Sequence, residues 1–410
     1  MRRSFAAAVV AMSAALSVVP AAAWSAPGGT APITLPARLP IALPATPPGT
    51  GTAATQQARR ALAQARQVLT GAAPAAGGSH PDARACTFPL HDPDRHPSYR
   101  VPNDRVLEWA GETGGRLVPY CRLDPAEDPV GEAERCLARG ARGIKLHPRA
   151  QAFEFGTSAA GSIFAVARDA GVPILIHAGR GMAPMDALAD LALRYPEVPL
   201  VLAHAGIAGQ GMFASRLNGH PAVVYDTSTL SPFDVIELFA RVPAERIVFA
   251  SDIPYGRPAF ALYQALRIAR KVAGLDDGEV RMLAGGTMDA LLAGAAPPAA
   301  TPPRVPEVRP MVGRLLRAAV YMHSAFASML AGDGRRDPAR ALPWVAMART
   351  VCRDPEPGPA GDALARIDAS LDAAERILLA GGRSAWAAVG LVHATMVFAA
   401  TEPATTDGAG

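Results

Sequence analysis

The chain has 410 residues, half of them apolar and 19% charged, enough for a large folded domain with an appendage and too apolar for a disordered polymer. Its net charge is +4, yet residues 1–81 carry six arginines and no Asp, Glu or Lys, so the remainder is close to neutral and slightly acidic. The sequence pI near 9.0 therefore belongs to the N-terminus, and it gives no basis for a nucleic-acid-binding face.

Residues 1–26 combine two arginines, an apolar run from Phe5 to Val19 and the small residues Ala21–Ala23, the layout of an export signal; the run is too short to remain as a membrane span. If that signal is genuine the protein is exported or periplasmic, and if the start is miscalled it is cytoplasmic. Residues 27–81 are rich in Ala, Pro, Gly and Thr and read as a linker or arm, with one short helix expected at 56–69. From residue 82 to 295 a rhythm of apolar strand and helix sets in. Strands are expected in 85–90, 116–123, 143–148, 172–179, 199–206, 222–228 and 246–252, with helices at 103–112, 131–139, 162–170, 185–195, 233–240, 258–274 and 277–294.

The strand runs are continuously apolar, which implies a parallel sheet covered on both faces. No glycine-rich phosphate loop follows any strand and polar residues recur at strand ends, so a (β/α)8 TIM barrel is expected rather than an open doubly wound sheet. Only seven strands can be read, leaving the first βα unit missing or degenerate. The proline-rich stretch 295–310 marks a boundary, and 305–410 is expected to be a helical bundle, with helices at 311–332, 338–352, 360–381 and 384–400, serving packing or homo-oligomerisation. Cys86, Cys121, Cys136 and Cys352 show no C-x-x-C or finger spacing and read as buried thiols.

A barrel builds its active site at the C-terminal ends of its strands. Those ends carry Lys145 and His147, His177, His204, Asp226 and Asp252 in otherwise apolar runs. A buried charge without a partner costs several kcal/mol, so each needs a hydrogen-bond donor, an opposite charge or a metal. Imidazole nitrogens with a carboxylate oxygen suit zinc, with manganese, iron or cobalt as further candidates. His177, His204 and Asp252, three convergent polar groups, form the candidate functional set. Lys145 could instead pair with an acid, and Asp226 could cap the following helix.

The ordered motifs "GARGIKLHPRAQAF", "VPILIHAGRG", "YPEVPLVLAHAG", "VVYDTS", "ERIVFASDIPYG" and "MLAGGTMDALL" resemble the amidohydrolase-related family of metal-dependent TIM-barrel hydrolases, the branch that includes aminocarboxymuconate-semialdehyde-type decarboxylases. The resemblance covers about 85–295. It implies that His177 is a metal ligand, His204 a ligand of a second metal or a polariser of the substrate, and Asp252 both ligand and proton acceptor. A metal-dependent hydrolase of a C–N or related bond in a small molecule is the first expectation. A non-oxidative decarboxylase on the same site and a non-catalytic binding barrel are the alternatives. The family's His-x-His at the end of a first strand has no counterpart, because only His80 lies upstream of Cys86; His91 and His96 are spaced differently and read as loop residues.

Overall fold

A computed structural model describes residues 84–89, 97–178, 186–217, 219–252, 258–303, 305, 313–330, 338–353 and 360–402. The signal-like segment, the arm with its expected helix, and His91 and His96 lie outside the described residues.

All seven expected strand runs are present. They are β1 (Ala85–Thr87), β2 (Leu117–Pro119), β3 (Cys121–Arg122), β4 (Ile144–Leu146), β5 (Ile174–His177), β6 (Leu200–Ala203), β7 (Val223–Asp226) and β8 (Ile247–Val248). β2 and β3 are one run that changes partner at Tyr120: its first half pairs with β1 and its second with β4. From β3 to β8 every neighbour is parallel and in sequence order. Between strands lie α1 (Arg100–Glu112), α2 (Pro129–Ala138), α3 (Pro148–Gln151), α4 (Ser158–Ala170), α5 (Asp186–Arg194), α6 (Gln210–Arg216) and α7 (Pro232–Arg241), and after β8 come α8 (Pro258–Lys271), α9 (Asp277–Arg281) and α10 (Thr287–Leu292). This is the TIM-barrel alternation, with seven strand runs among the described residues.

Register decides which side chains share a face, because alternate residues of a strand point to opposite sides. One face carries the aligned row Cys121, Ile144, Ile174, Leu200 and Val223, uniformly apolar and buried. The other carries Arg122, Lys145, Leu175, Val201 and Val224 in register, followed one step toward the strand ends by His177, Ala203 and Asp226. Polar residues thus gather on a single face at a single end.

The segment after α9 connects the two sheet edges. Leu283 offers its carbonyl to the Phe249 N–H just past β8 (2.8 Å), while Asp289 pairs with Arg84 beside β1 (3.1 Å). Leu291 and Met288 pack against Val201, Val224, Val248 and Leu175 on the polar-ended face. The single helix expected at 277–294 is divided by a π-helical turn at Met282–Gly286, where Gly285 departs from helical geometry.

The chain forms two compact units. The one just described is built from Ser79–Ala261 and Leu275–Val305, and the other from Leu262–Gly274 and Pro306–Gly410. The second holds most of α8 with α11 (Gly313–Leu330), α12 (Leu342–Cys352), α13 (Gly361–Ala380) and α14 (Trp386–Thr401). Every residue of α14 from Ala387 to Thr401 is buried, as its all-round apolar sequence requires of a central helix. Within it His393 is buried, whereas His323 of α11 is exposed. Arg349 of α12 is buried among Asp368, Asp372 and Glu375 of α13. No helix of the described residues is long and apolar enough to cross a membrane. Cys121, Cys136 and Cys352 are buried as expected; Cys86 is only partly so.

Candidate active site

His177 and His204 end neighbouring strands, and their rings meet: Nδ1 of His177 lies 3.0 Å from Nε2 of His204. The "HAG" sequence makes this approach by a left-handed turn, with φ of 62° at His204, 49° at Ala205 and 77° at Gly206. Turning the backbone there lifts the His204 ring off the strand line and toward β5. The ring is buried, and its other nitrogen, Nδ1, is surrounded by oxygens of the β7 loop: Thr229 Oγ1 at 2.8 Å, Ser228 Oγ at 2.9 Å and the Ser228 carbonyl at 3.2 Å.

His147 stacks on His177 with ring centroids 3.8 Å apart and planes within 13°. It also caps α3, accepting at Nδ1 from the Ala150 N–H (3.3 Å), which fixes its ring. Burial, reinforced by neighbouring cations, pushes His177 down to about 3 and His147 down to about 2, so both are neutral and keep a lone pair at physiological pH.

Lys145 is buried with its ammonium 4.9 Å from the Phe88 ring centroid. Desolvation pushes its pKa down to about 8, against the opposing pull of Asp252 and Asp226 and with the help of Arg122. Burial likewise raises Asp252, a shift that the charges of His204 and Lys145 oppose. Desolvation thus lowers the lysine and raises the carboxylate, each toward its uncharged form. Asp226 does not cap the next helix; Ser231 does so, in a reciprocal capping box with Asp234. The Asp226 Oδ1 instead accepts from the backbone N–H groups of His204 (2.8 Å) and Ser228 (2.9 Å) and from the Ser228 hydroxyl (2.5 Å).

The structure therefore links His147 to His177 and His177 to His204 in two successive ring contacts, with Asp226 tied to His204 and with Lys145 and Asp252 electrostatically linked beside them. It also adds residues. Arg122 is buried at the end of β3 in register with Lys145, donates to the Pro89 carbonyl (3.1 Å) and lies over the Tyr99 ring. A charge inside the apolar run "YCRL" is the same signal that singles out Lys145. Ser228 and Thr229 carry no such signal, since hydroxyls after a strand are ordinary turn residues.

The chemistry of the donor pair fits a divalent cation: two imidazole nitrogens from adjacent strands converge, and a carboxylate stands at the same mouth. Among the described residues, no three His, Cys, Asp or Glu side chains are gathered closely enough to form a complete ligand set.

Comparison with known proteins gives the class. The sequence profile described as amidohydrolase matches residues 73–292, more than half of the chain, and the protein belongs to that family. No curated protein matches it. Among solved structures it is similar to an uncharacterised TIM-barrel protein of Bordetella bronchiseptica, at 15% identity over 47% of this chain and 72% of that one, with a TM-score of 0.41. It is similar also to a 5-carboxyvanillate decarboxylase of Sphingomonas paucimobilis, at 16% identity over 47% and 72% with a TM-score of 0.37. A third is a 4-oxalomesaconate hydratase of Rhodopseudomonas palustris, at 16% identity over 48% and 72% with a TM-score of 0.39.

Proposed function

We propose that the protein is a metal-dependent hydrolase of small molecules, acting on a C–N or related bond at the mouth formed by His177, His204 and Asp252. The observation that carries this reading is the 3.0 Å approach of two ring nitrogens from consecutive strand ends. His177 and His204 would hold the cation through nitrogen, and Asp252 would have to close on it to add an oxygen, with zinc as the first candidate and manganese, iron or cobalt as others. A cation bound there supplies Lewis acidity, bringing water toward ionisation near neutral pH.

The chain's own residues do the rest. His147 holds the His177 ring in plane, and the β7 loop holds His204. Asp252, with its basicity raised by burial, accepts a proton and returns it to the leaving group. Lys145 balances the charge of Asp252 and can donate a proton to an anionic product. Arg122 and Lys145, side by side on the polar-ended face, favour a second reading in which the substrate bears a carboxylate and the reaction is its non-oxidative loss.

The test is turnover of amide, lactone and aromatic carboxylate panels by protein supplied with zinc or manganese, with product analysis separating hydrolysis from release of carbon dioxide. Asp252→Asn is expected to lower kcat by about 10²–10⁴-fold, the usual contribution of a general base. Equal kcat for the variant and the native enzyme on an identified substrate would remove Asp252 from the chemistry.

A further inference from the structure

His204 has two ring nitrogens, and which one carries the hydrogen decides what it can do at the site. We propose that Ser228, tethered by Asp226, is a positioning residue that keeps the hydrogen on Nδ1 of His204 and so turns the Nε2 lone pair toward His177. The proposal rests on the reading of His204 as a working residue of this site, but it concerns a property of the protein with no cation bound.

Asp226 Oδ1 already accepts two backbone N–H groups, from His204 at 2.8 Å and Ser228 at 2.9 Å. The Ser228 hydroxyl, 2.5 Å from the same oxygen, therefore donates its only hydrogen there. Having given it up, Ser228 Oγ can meet His204 Nδ1, 2.9 Å away, only as an acceptor. The Ser228 carbonyl, at 3.2 Å from Nδ1, is an acceptor by nature, and the Thr229 hydroxyl at 2.8 Å completes the cradle. With Nδ1 as the donor all three oxygens can accept from it, whereas a lone-pair Nδ1 could be served only by the Thr229 hydroxyl and would face the two buried Ser228 oxygens, which have no hydrogen to offer. The cradle therefore favours the hydrogen on Nδ1. A neutral imidazole has only one, so Nε2 presents its lone pair 3.0 Å from His177 Nδ1.

This gives Asp226 a definite place. It does not need to touch substrate or cation: it fixes the hydroxyl that fixes the ring, in the manner of the carboxylates that orient metal-bound histidines from behind. His177 then has two modes. It donates from Nδ1 to His204 when the pair is alone, and it must carry its hydrogen on Nε2 to share a cation with His204.

The experiment is long-range 15N–1H correlation on full-length protein labelled in its histidines and stripped of metal, with the His204 signals assigned by their loss in His204→Gln. The expected spectrum shows His204 protonated at Nδ1 and bare at Nε2. In Ser228→Ala the Nε2-protonated form is expected to appear beside it, and affinity for zinc alone, measured by competition with a chelator, is expected to fall by about 10–100-fold. Native His204 protonated at Nε2 overturns the proposal without recourse to any variant. So does a folded Ser228→Ala protein, judged by near-ultraviolet circular dichroism, whose His204 signals and zinc affinity equal those of the native chain. If native protein takes up no zinc while the tautomer behaves as described, the positioning role stands and the metal reading falls.

Discussion

At the scale of single residues, the site depends on the left-handed turn that ends β6. Gly206 has φ of +77°, and a Cβ there would stand 2.7 Å from the Phe213 ring, which is itself fully buried and has nowhere to go. Gly206→Ala is expected to cost about 1–3 kcal/mol through overpacking, with further strain from the positive φ, and to weaken any activity by moving His204. Gly211, inside α6 with nothing closer than 3.7 Å, is the control: Gly211→Ala is expected to be neutral or stabilising. Urea unfolding of both variants checks this, and equal midpoints would deny the turn its tightness. The histidines and Asp252 are legible in the sequence because each interrupts an apolar run at the same relative place. Arg122 is legible by the same rule. The part played by Ser228 is not, because it depends on where the Asp226 carboxylate points after the chain has folded.

At the scale of elements, the strands are legible because a parallel strand covered on both faces must be apolar along its length, and the outer row Cys121, Ile144, Ile174, Leu200 and Val223 is. Two short helices, α3 and α6, escape a periodicity reading: four and seven residues span too few turns to show a 3.6-residue pattern. The break of the 277–294 helix into α9 and α10 traces to the adjacent Gly285 and Gly286, a local feature that a periodic pattern overrides. That break has a structural use, since it frees the Leu283 carbonyl for β8 and lets Leu291 and Met288 reach the interior row of valines. Leu291 is fully buried, and Leu291→Ala is expected to lower stability by about 2–5 kcal/mol, measured by denaturant titration with an unchanged m-value. A loss below about 0.5 kcal/mol, the level of an ordinary surface change, would show that α10 does not brace the sheet.

At the scale of the molecule, the chain pairs an amidohydrolase unit with a helical unit whose centre, α14, is apolar on every side. The helical unit is legible from apolar residues at 3–4 spacing, and three of its acids, Asp368, Asp372 and Glu375, surround Arg349. The family was legible from the order of motifs along 85–295, while the substrate was not, because loop residues select it and loop conformation has no simple sequence code. What most defines the protein is the pair His177 and His204 in a chain that lacks His-x-His. The central claim is that this pair, with Asp252, is enough to hold a working cation. The direct measurement is the metal content of the purified full-length protein, native and His177→Ala, before and after incubation with zinc or manganese. The account predicts about one equivalent in the native protein and its loss in the variant. Less than about 0.1 equivalent in the native protein, with no uptake on adding either ion, would contradict it and leave a barrel that binds without metal chemistry.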